Sequence, residues 1–541
     1  MARLPHFLLT SALLIGPQIP LAMADDQQPE AAPIPEGARI GRISFDRQNV
    51  FDTSKPEESG AFYRFFNRFH IMTRESTIAK QLLFDEGDVF DQRRIEETER
   101  VLRGNKFFFD ASVTPELNDD GEVDIRVHTR DVWTLMPEIS VSRSGGENKT
   151  VFGVEESNLF GLGQRVLITR TDDVDRTTNV FEYTNRQVGN SWVFAQLRLA
   201  DKSDGDTTLV NLFKPFHELD ARTAGGVTFY EDERRDALYF LGDEAAEYRR
   251  LQDRYSVFGG ISNGLQDGWV RRWTAGVVYD ENVFTDAAEP VLPQAVPEDR
   301  KLVYPFVGIE ILEDRFEKSA NRDQMERSED FYLGTRIAAS LGWSDTSFDA
   351  DRDALLYSVS ADQSFGSLDK RALLLNAAAS GRVEDGDFAN AVVGIDARYY
   401  WTQSAKRLFF ATLDVKVGDN LDLDNPIEVG GDTGLRGYPL RYESGESRLL
   451  LTVEQRYFTD WYPFRLFRVG GALFADVGRV WGDNPLGFEN QGWLTNVGFG
   501  FRFAPTRIGT RKIVHLDVAF PLDGDPSIDS VQILLEAKRS F

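Results

Sequence analysis

The sequence predicts a mainly β protein, a transmembrane antiparallel β-barrel preceded by one small α/β domain, and three observations carry that expectation. From Trp133 to the terminal Phe541 apolar residues recur at every second position in short segments, the period of a strand with one apolar face. Mean hydropathy is only −0.35, and beyond the N-terminus no run of about 18 apolar residues could form a membrane-spanning helix. A barrel conceals its apolar surface, because alternate residues face lipid and the others face a polar lumen. Between Ile40 and Asp131 the pattern is helical in places, which marks off a separate domain.

Taken in order, Arg3, the apolar run Phe7 to Ile15 and Ala22-Met23-Ala24 read as a cleavable signal peptide over 1–24. Residues 25–37, with Gln27, Gln28, Pro29, Pro33 and Pro35, read as a linker. Residues 38–131 form the α/β domain. Ile40 to Phe45 alternates as a strand, and Phe62, Phe65, Phe66 and Phe69 fall on one face of a short amphipathic helix. Ile78, Leu82 and Leu83 mark a second helix ended by Gly87. Asp91 is placed to cap a third, in which Ile95, Thr98, Val101 and Leu102 share a face until Gly104 stops it. Phe107 to Glu116 and Glu122 to Thr129 then form a hairpin through Asn118-Asp119-Asp120-Gly121.

The barrel is expected over 132–541. Val497, Phe499, Phe501 and Phe503 alternate with Asn496, Gly498, Gly500 and Arg502, and Val514 to Phe520 repeats the pattern against Ile513, His515, Asp517 and Ala519. Similar segments are Thr150 to Glu156, Gln164 to Thr171, Val193 to Leu199, Trp273 to Tyr279, Leu302 to Ile311, Phe331 to Leu341, Leu355 to Phe365, Leu373 to Ser380, Val392 to Tyr400 and Phe409 to Val417. In all, about 20 segments qualify by pattern.

Charge and composition exclude other classes. With 87 acidic against 61 basic residues the net charge is −26, which argues against a nucleic-acid partner. The absence of Cys excludes disulfides and thiolate metal sites. The five His are scattered without metal-ligand spacing, so neither a metal nor a cofactor is expected. Gly260-Ile261-Ser262-Asn263-Gly264 matches a nucleophile elbow, but that motif needs a helix after its strand; a Gly-Asn turn between two barrel strands accounts for it better. His515 beside Asp517 reads as a lumen hydrogen bond, and Asp419, Asp422 and Asp424 read as a solvated acidic loop without a defined calcium pattern. No catalytic residue is expected.

The residues that could carry mechanism lie near the C-terminus. Gly430-Gly431-Asp432-Thr433-Gly434-Leu435-Arg436-Gly437-Tyr438 puts an Arg on a Gly-rich loop between strands. On the next strand Leu451, Val453 and Tyr457 take one face, leaving Glu454 and Arg456 on the other. One strand further, Leu473, Ala475 and Val477 leave Phe474, Asp476 and Gly478 turned inward. Glu454 and Asp476 are thus lumen carboxylates, and a guanidinium fork matches carboxylate geometry.

These motifs resemble the outer-membrane insertase and transporter superfamily that includes BamA, TamA and the two-partner secretion pores. Leu83-Phe84-Asp85-Glu86-Gly87-Asp88 with Leu102-Arg103-Gly104-Asn105-Lys106-Phe107-Phe108 resembles its POTRA domain, and Asn158-Leu159-Phe160-Gly161-Leu162-Gly163-Gln164 its early barrel turn. The resemblance implies a barrel of ~16 strands, about five of them after the loop. It makes Arg436, Gly437 and Tyr438 an inward loop tip, Glu454 and Asp476 its docking residues, and Phe541 part of a C-terminal assembly signal, with Arg539 standing where an apolar residue is usual. The implied function is insertion or translocation of client proteins through a periplasmic POTRA-like domain and a laterally opening barrel in the cell outer membrane. Implied partners are unfolded outer-membrane or secreted proteins, outer-membrane lipid and periplasmic accessory proteins. The alternative is a passive pore or structural barrel.

Overall fold

The computed structural model describes residues 34–189, 191–286 and 296–541. The expected signal peptide and most of the linker lie outside the described residues. The N-terminal domain is built from β1 (Ile40–Gln48), α1 (Ala61–Phe69), α2 (Glu75–Ala79), α3 (Gln92–Arg103), β2 (Phe108–Leu117) and β3 (Val123–Asp131). Its sheet has the order β1-β3-β2, with β1 parallel and β2 antiparallel to β3. The Asp91 carboxylate accepts the Arg93 N–H at 2.9 Å and caps α3. The second helix is shorter than its apolar stripe suggests. Gln81 and Leu82 bond back three residues, to Ile78 and Ala79, so the chain tightens into a 3₁₀ turn and Leu82 and Leu83 lie beyond the helix. Ile78, Ile95, Leu102, Phe108, Ile125 and Val127 form the buried core.

The rest of the chain closes into one antiparallel barrel of 20 strands. This corrects the count implied by the resemblance. Five barrel strands do follow the Arg-Gly-Tyr loop, and the surplus upstream widens the barrel instead of folding into loops. Lipid-side Val497, Phe499, Phe501 and Leu516 are exposed, whereas lumen-side Asn496, Arg502, His515 and Asp517 are buried, the alternation of a membrane barrel. Two other expectations change. Gly260 to Gly264 lies inside a continuous strand, Asp243–Gln266, and the register shift after Ser262 makes it a bulge, not a turn. Phe331 to Leu341 is not one strand: a small hairpin, Phe316–Ser319 with Glu329–Tyr332, precedes the barrel strand Arg336–Ser344. The barrel pattern there is broken because the turn between Arg300–Glu313 and Arg336–Ser344 folds as a unit of its own.

The domain is fastened to one rim of the barrel. Gly161, at φ +73°, makes the first turn on that side, and a Cβ there would stand 2.6 Å from the Met72 carbonyl oxygen, so only glycine allows the approach. The Gly161 carbonyl accepts Thr77 Oγ1 at 2.8 Å, and Asn158 Nδ2 donates to Thr73 Oγ1 at 2.8 Å. Arg507 Nη1 donates to the Val50 carbonyl at 2.8 Å, and the Leu219 N–H to Glu97 Oε1 at 2.8 Å. These bonds come from turns spread around the rim, so the domain sits across the barrel mouth.

Candidate functional site: a lumen charge network between two plugs

The long loop at the rim away from the domain joins strands Arg407–Asp419 and Ser447–Phe458 and turns into the lumen. Its tip is held by hydrogen bonds and by shape. Arg436, 4% exposed, donates from Nε and Nη2 to the two Asp476 oxygens at 2.8 and 2.7 Å, and from Nη1 to Glu454 Oε1 at 2.8 Å. Its guanidinium lies 3.5 Å above the Phe474 ring. Asp476 also accepts Thr452 Oγ1 at 2.9 Å and Asn496 Nδ2 at 2.8 Å, so both carboxylate oxygens are fully used. The Gly437 N–H donates to Asn496 Oδ1 at 3.1 Å, and a Cβ on Gly437 would stand 2.7 Å from Asn496 Cβ. Glycine at the tip is therefore a packing requirement.

The network extends beyond the residues singled out in the sequence. Glu454 Oε2 accepts Arg456 Nε at 2.8 Å, and Arg456 stacks 3.6 Å above the Phe410 ring. Arg502 pairs with Asp517. Arg436, Arg456 and Arg502 thus face Glu454, Asp476 and Asp517, all buried: three charges of each sign, which cancel. Cancellation is what permits so many ions at membrane depth, since a buried charge without a partner costs several kcal/mol. Arg502 and Asp517 were visible as lumen residues by alternation, yet nothing in the sequence told which lumen charges converge. The expected His515–Asp517 bond is not formed. Asp517 turns to Arg502, and His515 Nε2 lies 2.8 Å from the Ser540 carbonyl oxygen. Of the outer acids only Asp419 is exposed as expected; Asp422 pairs with Arg382 at 2.8 Å and Asp424 with Arg300 at 2.8 Å. Arginines of strands Arg371–Glu384 and Arg300–Glu313 claim these two.

Arg456 also donates from Nη1 to the Arg322 carbonyl at 2.9 Å, and Arg322 belongs to the hairpin segment 314–335. That segment plugs the lumen from the domain side. Leu333 and Met325 pack with Leu368, Tyr400, Phe410 and Phe458. On its outer side Asp330 receives Arg103 Nη2 at 2.6 Å, Ser328 Oγ donates to Asp110 Oδ2 at 3.0 Å, and Arg327 Nε donates to the Phe109 carbonyl at 3.0 Å. The hairpin therefore ties α3 and the edge of β2 to the lumen network. Phe541 is 2% exposed, its ring 4.8 Å from Phe458, and its N–H bonds to the Asp323 carbonyl at 2.8 Å. It lies inside the barrel under the hairpin.

The loop also spans the closure of the barrel. Tyr438 Oη donates to the Thr495 carbonyl at 2.9 Å and touches Asp523, in the turn before the last strand. On the other side Ser144 Oγ donates to the Gly431 carbonyl at 3.3 Å, and Gly145 of the first hairpin abuts Leu440. Between these anchors the first strand, Leu135–Ser144, and the last, Gln532–Lys538, share a single ladder pair, Arg143 with Leu535.

Fold and site together define a POTRA-type domain set beneath a plugged transmembrane barrel. Residues 68–130 match the POTRA family, described as a surface antigen variable number repeat. The chain is similar to BamA from Haemophilus ducreyi lacking POTRA domains 1–3 (11% identity, TM-score 0.39, covering 92% of this chain and 83% of that one). It is similar also to CdiB from Acinetobacter baumannii (12%, TM-score 0.44, covering 92% and 74%) and CdiB from Escherichia coli (12%, TM-score 0.46, covering 92% and 76%). Comparison with curated proteins gave no match.

Proposed function

We propose that the chain is an outer-membrane barrel that helps other proteins to insert into or cross that membrane, with its POTRA-type domain in the periplasm. The observation that carries this reading is the seam. The last strand makes seven ladder pairs with its other neighbour and the first strand ten with its own, against the single pair between them. Backbone N–H and C=O groups left open at membrane depth are costly, so an opened seam offers edges that an incoming client strand satisfies. The domain receives the client first: β1 is an edge strand of its sheet and extends by β-augmentation. The Arg436 loop, anchored on both sides of the seam, acts as its strap, and release from Glu454 and Asp476 frees it. The work needs no catalytic group and no cofactor; outer-membrane lipid and periplasmic accessory proteins are its other partners.

Cysteines at Arg143 and Leu535, the one paired position, test the reading in a chain without other Cys. Oxidation is expected to leave the barrel folded and to stop client insertion or secretion, with reductant restoring it. Full activity in the locked protein would exclude lateral opening. The rival passive pore is disfavoured by the two plugs, which meet across Glu454 and Arg456. Solute-selective conductance through the unmodified protein, without a client, would favour that rival.

A further inference from the structure

Helix α1 buries none of its residues. Phe62, Phe65 and Phe69 lie on one face, 51%, 58% and 61% exposed, and Ile71 beyond them is exposed too. Their rings are in mutual contact through Phe66, with Phe62–Phe66 and Phe65–Phe69 centroids each 4.8 Å apart. A domain in water does not leave such a stripe open without a partner.

What borders the stripe identifies the partner. Phe66 packs edge-on against Trp133 at 5.2 Å. Trp133 leads into the first barrel strand, whose Leu135, Ile139 and Val141 are exposed on the lipid side. Just past the helix Arg74 Nε donates to the Phe160 carbonyl at 3.0 Å, and the Phe160 side chain is exposed at the barrel's first domain-side turn. On the other flank Arg507, which holds the segment ahead of α1, donates to the Arg465 carbonyl at 3.0 Å, in the turn that exposes Trp461 and Phe464. The stripe thus adjoins the first barrel strand through Trp133 and is tied on its other flank, through Arg507, to a turn with exposed apolar residues. Helix α1 also carries Arg64 and Arg68 and no acidic residue, so its charge complements anionic lipid headgroups while the arginine stems lie along the apolar surface.

We propose that α1 is an interfacial anchor whose Phe62, Phe65 and Phe69 face enters the lipid leaflet on the domain side, beside the seam. The inference rests on the barrel's position in a bilayer and is independent of what the barrel transports. Because the chain has no Cys, single cysteines at Phe65, Val497 and Asp119 can carry an environment-sensitive fluorophore in the full-length protein. The protein is reconstituted without client into phosphatidylethanolamine–phosphatidylglycerol vesicles containing spin-labelled lipid, under conditions in which the Val497 probe is quenched. The Phe65 probe is expected to be blue-shifted and quenched by the lipid label comparably to Val497, and the Asp119 probe at the domain hairpin to remain open to aqueous iodide. Adding Phe62→Ser and Phe69→Ser is expected to return the Phe65 probe toward the Asp119 behaviour. A Phe65 probe as open to iodide as Asp119 would place the helix in water and overturn the proposal. Shielding from iodide without lipid quenching would overturn it equally, assigning the stripe to a second copy or another segment of the chain, and shielding that appears only on adding unfolded protein would assign it to the client.

Discussion

Arg436 is bound by two carboxylates, an aromatic face and a glycine-shaped slot, and each can be removed separately. Truncating one member of a buried ion pair costs about 3 to 5 kcal/mol because the other charges lose their balance. Arg436→Glu goes further, setting a fourth carboxylate among Glu454, Asp476 and Asp517. It is expected to release the loop and reduce activity while the barrel stays folded, read as new chymotrypsin cleavage at Tyr438 and Tyr442 with unchanged heat-modifiable migration. Adding Asp476→Arg should recover part of the loss, with a coupling energy above the roughly 0 to 1 kcal/mol of an exposed pair. A silent Arg436→Glu would reduce the Arg to a bystander. Gly437→Ala tests the slot without touching charge: its methyl meets Asn496 Cβ at 2.7 Å, so the same cleavage should appear, more weakly, and an unchanged loop would show that the tip has room to shift.

At the scale of elements the hairpin 314–335 is the piece that links domain to lumen. Its Glu329 accepts the N–H groups of Arg322 and Asp323, both at 3.0 Å, and of Gln324 at 3.1 Å. Burial, with the Asp323 charge second, nevertheless pushes its carboxyl up to about 7, and the N–H donors oppose this only in part. A carboxyl whose pKa is raised by docking binds its proton more tightly when docked, so its contribution is full below the free value of 4.5 and is lost as pH rises through about 7. Proteolysis of the hairpin should therefore be faster at pH 8 than at pH 6, and Glu329→Gln should flatten the difference; a pH-independent rate in the unmodified protein would refute the assignment. The hairpin was also the element least legible in the sequence. Phe331 to Leu341 alternates like a barrel strand because both halves are extended, and period alone does not tell a strand that spans the membrane from one that plugs the lumen. The third helix was plain, since cap, stripe and stop agree at Asp91, Leu102 and Gly104.

For the whole molecule, the pattern of alternation located the barrel and its five closing strands, and placed Glu454 and Asp476 inside, because facing is a local property of period two. The count of alternating segments, about 20, agrees with the 20 strands of the barrel, and only the count implied by the resemblance was low, because closure depends on how many neighbours a sheet accepts before it meets itself. The convergence of Arg456, Arg502 and Asp517 was hidden because it is set by the register of successive strands, Ser447–Phe458 through Ile513–Pro521, and period two fixes facing but not register. The plugged architecture predicts low conductance for the intact protein in planar bilayers and a rise when Arg436→Glu is combined with Asp330→Ala, which loosens the plugs from both ends; a barrel that conducts freely unmodified would contradict it. The strands are also of very unequal length, and lipid must respond to that. The last strand has 7 residues, whereas Asp243–Gln266 across the barrel has 24. At about 3.3 Å per residue and a tilt near 40°, 7 residues cover only about 18 Å of depth, less than the roughly 25 Å apolar band of such barrels. Thinning of the bilayer is then greatest beside the last strand, and if the seam opens as proposed, that elastic stress lowers the resistance of the membrane to an entering strand at that place.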